Sequence, residues 1–424
     1  MSLESASAED YKFEKICIWK NGGATIRRDE ETGAIYIARV IHGGLADRSG
    51  LLNPGDLLVE VNGNPVGGLE PEQIIQILIN SHGTILFKVI PDAAQSSGSH
   101  KSVYVRAMVD YCPLQDASIP CPDAGMAFCR GDLLEVVDQS DGRWWQARKL
   151  PCSASCAGLI PSASVLKSKQ REQWWCQPLQ VHTCIRPCEH SYITPHVSTV
   201  ALSSPYEEVA LYQRPPQESH RLVILIGETG RVGVNELRKR LIKLNPSTFQ
   251  GPVPHTTRPI RAGEQTGREY HFVTKELFEY MVFVEYGEYK GQLYGTSTDA
   301  IDEVLKRGQM CIINAEPHSI QPLRTRKLKP YVIFIKAPAA ERLRETRRDA
   351  RIATSCSSNR AFTEEDFVEL EEASRLTELK YKQFFDFVLV NDCLQDACTQ
   401  LFYVIQEAQD EAQWIPVSWS LEDE

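Results

Sequence analysis

The chain is 424 residues long with a formal charge of −10. At roughly 150 residues per domain that length fits about three domains. Its 42 % hydrophobic and 24 % charged residues are ordinary globular usage, which excludes a mostly disordered, collagen-like or short disulfide-scaffold chain. The negative balance argues against nucleic acid as a general partner. No apolar run approaches the roughly 18 residues needed to span a bilayer. The start, MSLESASAEDYK, has neither a basic lead nor an apolar core, so it does not read as a secretory signal. The 13 cysteines are then expected as free thiols in a reducing compartment.

Residues 11–91 alternate short apolar runs with glycine turns. ICIW, ATIRR, AIYIARVI, DLLVEVNG and TILFKVIP are patterned as strands. Pro71 to Ser81 places Ile74, Ile75, Ile77 and Leu78 at helical spacing, and Pro71 suits a first turn, where its missing N–H is no loss. GLADRSGLLNPGDLLVEVNG (Gly44 to Gly63) closely resembles the central segment of PDZ domains. That resemblance implies a module that captures a partner's C-terminus as an added strand. The carboxylate loop would be Asn21, Gly22, Gly23 and Ala24, and the pairing strand Thr25, Ile26 and Arg27. The groove helix would start at Pro71 with Ile75 and Leu78 facing the peptide, leaving Ile74 and Ile77 to the core. Gly22 stands where the family usually has a bulky apolar residue, so a looser loop is expected. Pro71 stands where PDZ domains selective for Ser or Thr two residues before the terminus often have His. Since proline cannot donate a hydrogen bond, an apolar residue is expected there.

The polar stretch 92–102 reads as a linker. In 103–166, AMVDY, GDLLEVVDQSDGRWWQARK and AGLIPS resemble an SH3 domain. Tyr111, Trp144, Trp145 and Pro161 could supply part of a groove for proline-rich helices, but Val109 replaces one stacking aromatic, and packing within the chain is the competing reading. Residues 167–217 read as an insertion, the hook, followed by one more strand. The insertion is expected as a solvated loop with one weak basic cluster, Lys167, Lys169 and Arg171. The five cysteines from Cys152 to Cys188 lack paired C-x2-C spacing and read as a cysteine-rich insertion, with reversible S-acylation of one of them a better alternative than a zinc site. No metal or other cofactor is expected.

Residues 218–408 alternate strands and helices. RLVILIGETGRVGVNELRKRL is strand, glycine loop and helix, a unit that aims N–H groups at phosphate. It departs from the ATP-binding pattern G-x-x-x-x-G-K-[ST]. Gly227, Gly230 and Gly233 remain, with five residues between Gly227 and Gly233 rather than four. Val234 replaces the lysine and Asn235 the hydroxyl residue. Phosphoryl transfer rests on positioning and electrostatics, so these losses argue against catalysis. VPHTTRPIRAGEQTGREYHFV and VEYGEYKGQLYGTS closely resemble the GMP-binding segment of guanylate kinases. By that match Arg258 and Arg261 would face a phosphate, with Tyr270, Tyr294 and Thr296 as hydroxyl partners or pocket walls. Glu264 and Glu285 would be carboxylate positions, Glu285 the one reading a guanine edge. Pro254 replaces a phosphate-binding serine and Asn314 an acidic residue of the enzymes. Arginines of the lid, Arg342, Arg344, Arg347, Arg348 and Arg351, read mainly as a solvated helix face.

PDZ, SH3 and guanylate-kinase-like, in that order, resemble the membrane-associated guanylate kinase (MAGUK) family. RVIHGGLADRSGLL, YEEVALYQRPP and QWIPVSWS point to its p55, or membrane palmitoylated protein, subfamily. The chain starts too close to its PDZ domain to hold the paired L27 helices common there. The resemblance implies a multidomain chain of a β-rich PDZ domain, a split SH3 β-barrel and an α/β P-loop guanylate-kinase-like domain. A strand at 411–421 would complete the SH3 domain, with Val417 and Trp419 sharing one face, and SH3 and kinase-like domains would form one rigid unit. It also implies a non-enzymatic scaffold, peripheral at the cytoplasmic face of the plasma membrane or cell junctions. Its partners would be C-terminal peptides of membrane proteins, other scaffold or membrane-skeleton proteins, and phosphopeptides as a further class. The alternatives are a guanylate kinase and a non-catalytic GMP or phosphopeptide sensor.

Overall fold

The computed structural model describes residues 16–18, 23–81, 85–92, 102–151, 156–176, 204–228, 232–347, 351–352 and 360–420. The chain divides into two compact units, Met1–Pro178 with Leu202–Glu207, and Leu179–Ala201 with Glu208–Glu424. The linker at 93–101 and the hook from 177 to 203 lie outside the described residues.

In the first unit, Ala24–Arg28, Ile35–Val40 and Leu57–Val61 form successive antiparallel pairs, and Phe87–Ile90 pairs with Leu57–Val61. Strand alternation places Ile35 and Ile37 in the core at 1 % and 2 % exposure, while Tyr36 and Ala38 face away. Helix Pro71–Ile79 closes this core with Ile74 and Leu78. It opens on a capping box in which Glu70 and Gln73 satisfy each other's backbone N–H groups, with Pro71 at the first position.

The same unit contains the SH3 barrel, the antiparallel strands Val103–Ala107, Leu133–Asp138, Trp144–Leu150 and Gly158–Pro161. Ile41, from the end of a PDZ strand, is buried within the SH3 core beside Leu134, Val136 and Trp144. Buried Gln146, 2 % exposed, accepts from the His42 N–H at 3.1 Å and donates to the Val40 carbonyl at 3.0 Å. The Ala157 N–H donates to the His42 carbonyl at 2.9 Å. An ion pair between Arg39 and Asp141 extends the contact. SH3 and PDZ thus fall in one compact unit, the tip of a PDZ strand supplying part of the SH3 core.

The solvated-loop expectation for the start of the insertion is corrected. Ala163–Cys176 is helical. Lys169 donates to the Asp116 carboxylate at 2.6 Å and to Ser118 at 2.8 Å. Asp116 is buried and needs a counter-charge, which the helix supplies.

Strand Tyr206–Tyr212 begins in the first unit and continues into the second. Tyr206 lies in the SH3 core and donates to the Pro161 carbonyl at 2.8 Å. Val209 to Tyr212 pair antiparallel with Gln413–Pro416. The expected C-terminal strand is shorter than expected, since Val417–Trp419 is a 3-10 turn. Pro416 has no N–H to continue a ladder. Trp419 is nevertheless buried, with the Arg324 guanidinium 5.4 Å from its ring.

The second unit is built on a five-stranded parallel sheet ordered Phe249–Gln250, Met310–Ala315, Val223–Ile226, Tyr331–Lys336, Phe387–Val390. Val223 to Ile226 are all fully buried, as central strands covered on both faces must be. A second sheet of His255–Thr256, His271–Phe272, Phe283–Tyr289 and Gln292–Ser297 carries the GMP-like segment.

Candidate functional site

Ala24, Ile26, Ile75 and Leu78 line one apolar pocket, joined by Ile37, Leu52, Leu58 and Phe87, which sequence reasoning missed. The division within the helix differs from expectation. Ile74 is fully buried, but so, nearly, is Leu78 at 5 %, which therefore serves core and pocket together. Pro71 is buried at the helix start. Thr25 is fully buried, and its hydroxyl has no partner among the described residues. Gly23 has φ +71, and a Cβ there would stand 2.9 Å from the Gly44 backbone, so only glycine fits. Its carbonyl accepts from the Ile41 N–H at 2.6 Å, linking this glycine to the strand end held by Gln146. Gly22 lies outside the described residues. The edge of Thr25 to Arg27 that faces the helix is not open: backbone Ile16–Ile18 pairs with it.

In the SH3 domain the aromatic residues are turned inward. Tyr111 and Trp144 are buried, and Tyr206 packs against Phe128 and Trp145 at ring distances of 5.9 and 5.7 Å. Tyr111 donates to Asp116 at 3.1 Å, and Lys169 takes the same carboxylate. Burial alone would raise Asp116's carboxyl, but hydrogen bonds from Lys169 and Ser118 outweigh it and hold it below its ordinary value. These interactions support packing within the chain over a proline-rich groove.

In the GMP-like segment Arg258, Glu264, Tyr270 and Tyr294 lie together, whereas Arg261 is exposed. Arg258 grips Glu264 with two hydrogen bonds, at 2.7 and 2.6 Å, and Glu264 also accepts from the Arg261 N–H at 2.9 Å. Those bonds hold its carboxyl down at about 2, the one from Arg258 contributing most. The Arg258 guanidinium also sits 5.0 Å from the Tyr270 ring and 5.1 Å from that of Phe272. Tyr270 meets Tyr294 edge-on at 5.9 Å. Glu285 lies opposite Thr296 across the two longest strands of the second sheet. Burial pushes its carboxyl up, the charge of Glu316 adds to this, and Arg238 opposes it. Arg238 was not expected here. It lies one helical turn beyond Val234, a spacing that could have flagged it.

The ATP side is of another character. Val234 is 2 % exposed and belongs to the apolar core of the sheet. Gly233 opens its helix at φ +88. Gly227 sits so close that a Cβ would lie 2.8 Å from the Ile335 carbonyl and 2.9 Å from Val234. Gly230 lies outside the described residues. Asn314 donates to Asn235 at 2.6 Å, so the two positions that in P-loop enzymes hold magnesium are a neutral amide pair. Among the lid arginines, Arg342 pairs with Asp392 and Glu345, and Arg344 with Glu364, as solvated helix positions do. Arg347 instead turns inward, donating to the Asn391 carbonyl at 3.0 Å. Arg348, and the side chain of Arg351, lie outside the described residues.

The guanylate kinase family matches residues 219–408, and the PDZ domain family matches residues 20–90. MAGUK p55 subfamily member 4 of Rattus norvegicus is 51 % identical, over 95 % of this chain and 98 % of that protein. The chain belongs to the MAGUK p55 subfamily. MAGUK p55 subfamily member 7 of Danio rerio is 41 % identical, over 94 % of this chain and 74 % of that protein. Member 3 of Homo sapiens is 39 % identical over the same shares. The crystal structure of the SH3-kinase fragment of tight junction protein 3 aligns at 16 % identity and a TM-score of 0.37, covering 74 % of this chain and 100 % of that one. The MAGUK domain set supports a scaffold role. No helix among the described residues is long and apolar enough to cross a membrane.

Proposed function

We propose that this MAGUK is a non-enzymatic scaffold that captures C-terminal tails of membrane proteins in its PDZ groove. It would assemble further scaffold or membrane-skeleton proteins at the cytoplasmic face of a membrane or cell junction. The observation that carries the non-enzymatic part is the Asn235–Asn314 pair beside buried Val234. A phosphoryl-transfer site needs fixed positive charge there, and this one offers an apolar side chain and two neutral amides. Turnover of GMP with ATP in a coupled assay would overturn it. An array of C-terminal peptides tests the groove: Pro71, which cannot donate a hydrogen bond, favours an apolar residue two before the terminus, and strong selection for Ser or Thr would count against the assignment.

The retained arginines favour a second role for the kinase-like domain. A phosphorylated Ser or Thr would exchange with Glu264 for the planar donors of Arg258, which Tyr270 and Tyr294 flank. GMP or a phosphopeptide would be the ligand, held without chemistry. Phosphopeptide binding unchanged by Arg258→Ala with Arg261→Ala would refute this role.

A further inference from the structure

Capture of a C-terminal tail, the reading on which this inference rests, needs an open strand edge. Thr25 to Arg27 has none. On one side lies Ile35–Val40, with Thr25 opposite Arg39 and Arg27 opposite Tyr36. On the other lies Ile16–Ile18, with Ile18 opposite Thr25, Cys17 opposite Ile26 and Ile16 opposite Arg27. Helix Pro71–Ile79 contacts both Ile16–Ile18 and Ala24–Arg28. The N-terminal strand therefore lies between the pairing strand and the groove helix, where the tail would go.

Its polarity matters as much as its place. A tail whose carboxylate sits in the loop before Thr25 must run antiparallel to Thr25–Arg27, its last residues nearest Thr25. Ile16–Ile18 runs the same way, and Ile18 takes the place nearest the loop. The difference is that Ile18 continues through a peptide bond into Trp19, so it brings no carboxylate to the loop N–H groups. We propose that Ile16–Ile18 is a built-in competitor for the PDZ groove, displaced only by a ligand that adds a free terminal carboxylate.

The physical balance is suitable. A three-residue strand offers few ladder bonds, each of modest net worth. An incoming tail replaces those bonds and adds charge-assisted ones to its carboxylate. The apparent affinity is then the intrinsic one reduced by the fraction of open grooves. The device also imposes selectivity, because an internal segment of another protein gains no advantage over the resident strand.

The test compares the full chain with two variants, one lacking residues 1–18 and one carrying Cys17→Pro, since proline disrupts a ladder strand. The probes are a fluorescein-labelled peptide ending in Val-Ala-Val with a free carboxylate, and the same peptide as its amide. Both variants should bind the acid about tenfold more tightly than the full chain, the equivalent of one or two ladder bonds. The amide should gain measurable binding only in the variants. Hydrogen exchange at Thr25–Arg27 should accelerate in the variants and slow again with peptide. Equal affinity for the acid in all three proteins refutes the competitor and leaves tail capture standing. Absence of binding in all three, with exchange still accelerated in the variants, refutes tail capture itself and the proposal with it.

Discussion

Replacing Gln146 with leucine probes the coupling between the PDZ and SH3 domains. The side chain is 2 % exposed and is held by three hydrogen bonds: from the His42 N–H at 3.1 Å, to the Val40 carbonyl at 3.0 Å and to Asp138 at 3.1 Å. Leucine fills a similar volume but leaves both PDZ backbone groups without these partners. Each buried group so stranded costs about 1–3 kcal/mol, and leucine's extra apolar contact offsets part of it, so a net loss of about 2–4 kcal/mol is expected. For a unit of this size that lowers the melting temperature by about 5–15 °C. Scanning calorimetry of the full chain measures the shift. Hydrogen exchange at Val40 to Gly44 locates it, and should show the Ile41 bond to the Gly23 carbonyl loosening with the rest. A shift below about 1 °C with unchanged exchange would mean that the two domains touch without stabilising one another.

Glu264 should titrate near 2, and Arg258→Ala should move it back toward its ordinary 4.5, as followed by carboxyl NMR. Because the folded value is depressed, the Arg258–Glu264 pair contributes fully above about 4.5 and is lost as pH falls toward 2. Lys169→Met should strand the Asp116 carboxylate, whose side chain is 5 % exposed, and cost about 2–3 kcal/mol at neutral pH. The same variant should lose less stability on acidification than the parent, since Asp116 is also held below its ordinary value; parallel urea titrations at two pH values decide it. Truncation after Ala408 removes fully buried Ile415 and the partner of Val209 to Tyr212. It should destabilise the chain by about 3–5 kcal/mol or abolish soluble expression. An unchanged melt of the SH3 domain would show that the last strand does not support it.

Much of this protein was determined by residue identity at local spacing. Gly44 to Gly63 and the Arg258 to Tyr270 segment gave the PDZ and kinase-like domains. Val234 and Asn235 carry the proposal that the ATP side is lost, because a charge or a hydroxyl is present at a position or it is not. What tertiary structure alone decided are pairings between distant segments. Gln146 reaches Val40 across 106 residues, Lys169 reaches Asp116 across 53, and Asn314 reaches Asn235 across 79. A local pattern reports which face of an element is apolar, not which buried donor lies opposite it. For the same reason the strand propensity of Ile16 to Ile18 was legible in the sequence, whereas its position along Thr25 to Arg27 was not. A backbone edge will pair with any strand that reaches it, and only the folded chain determines which one does.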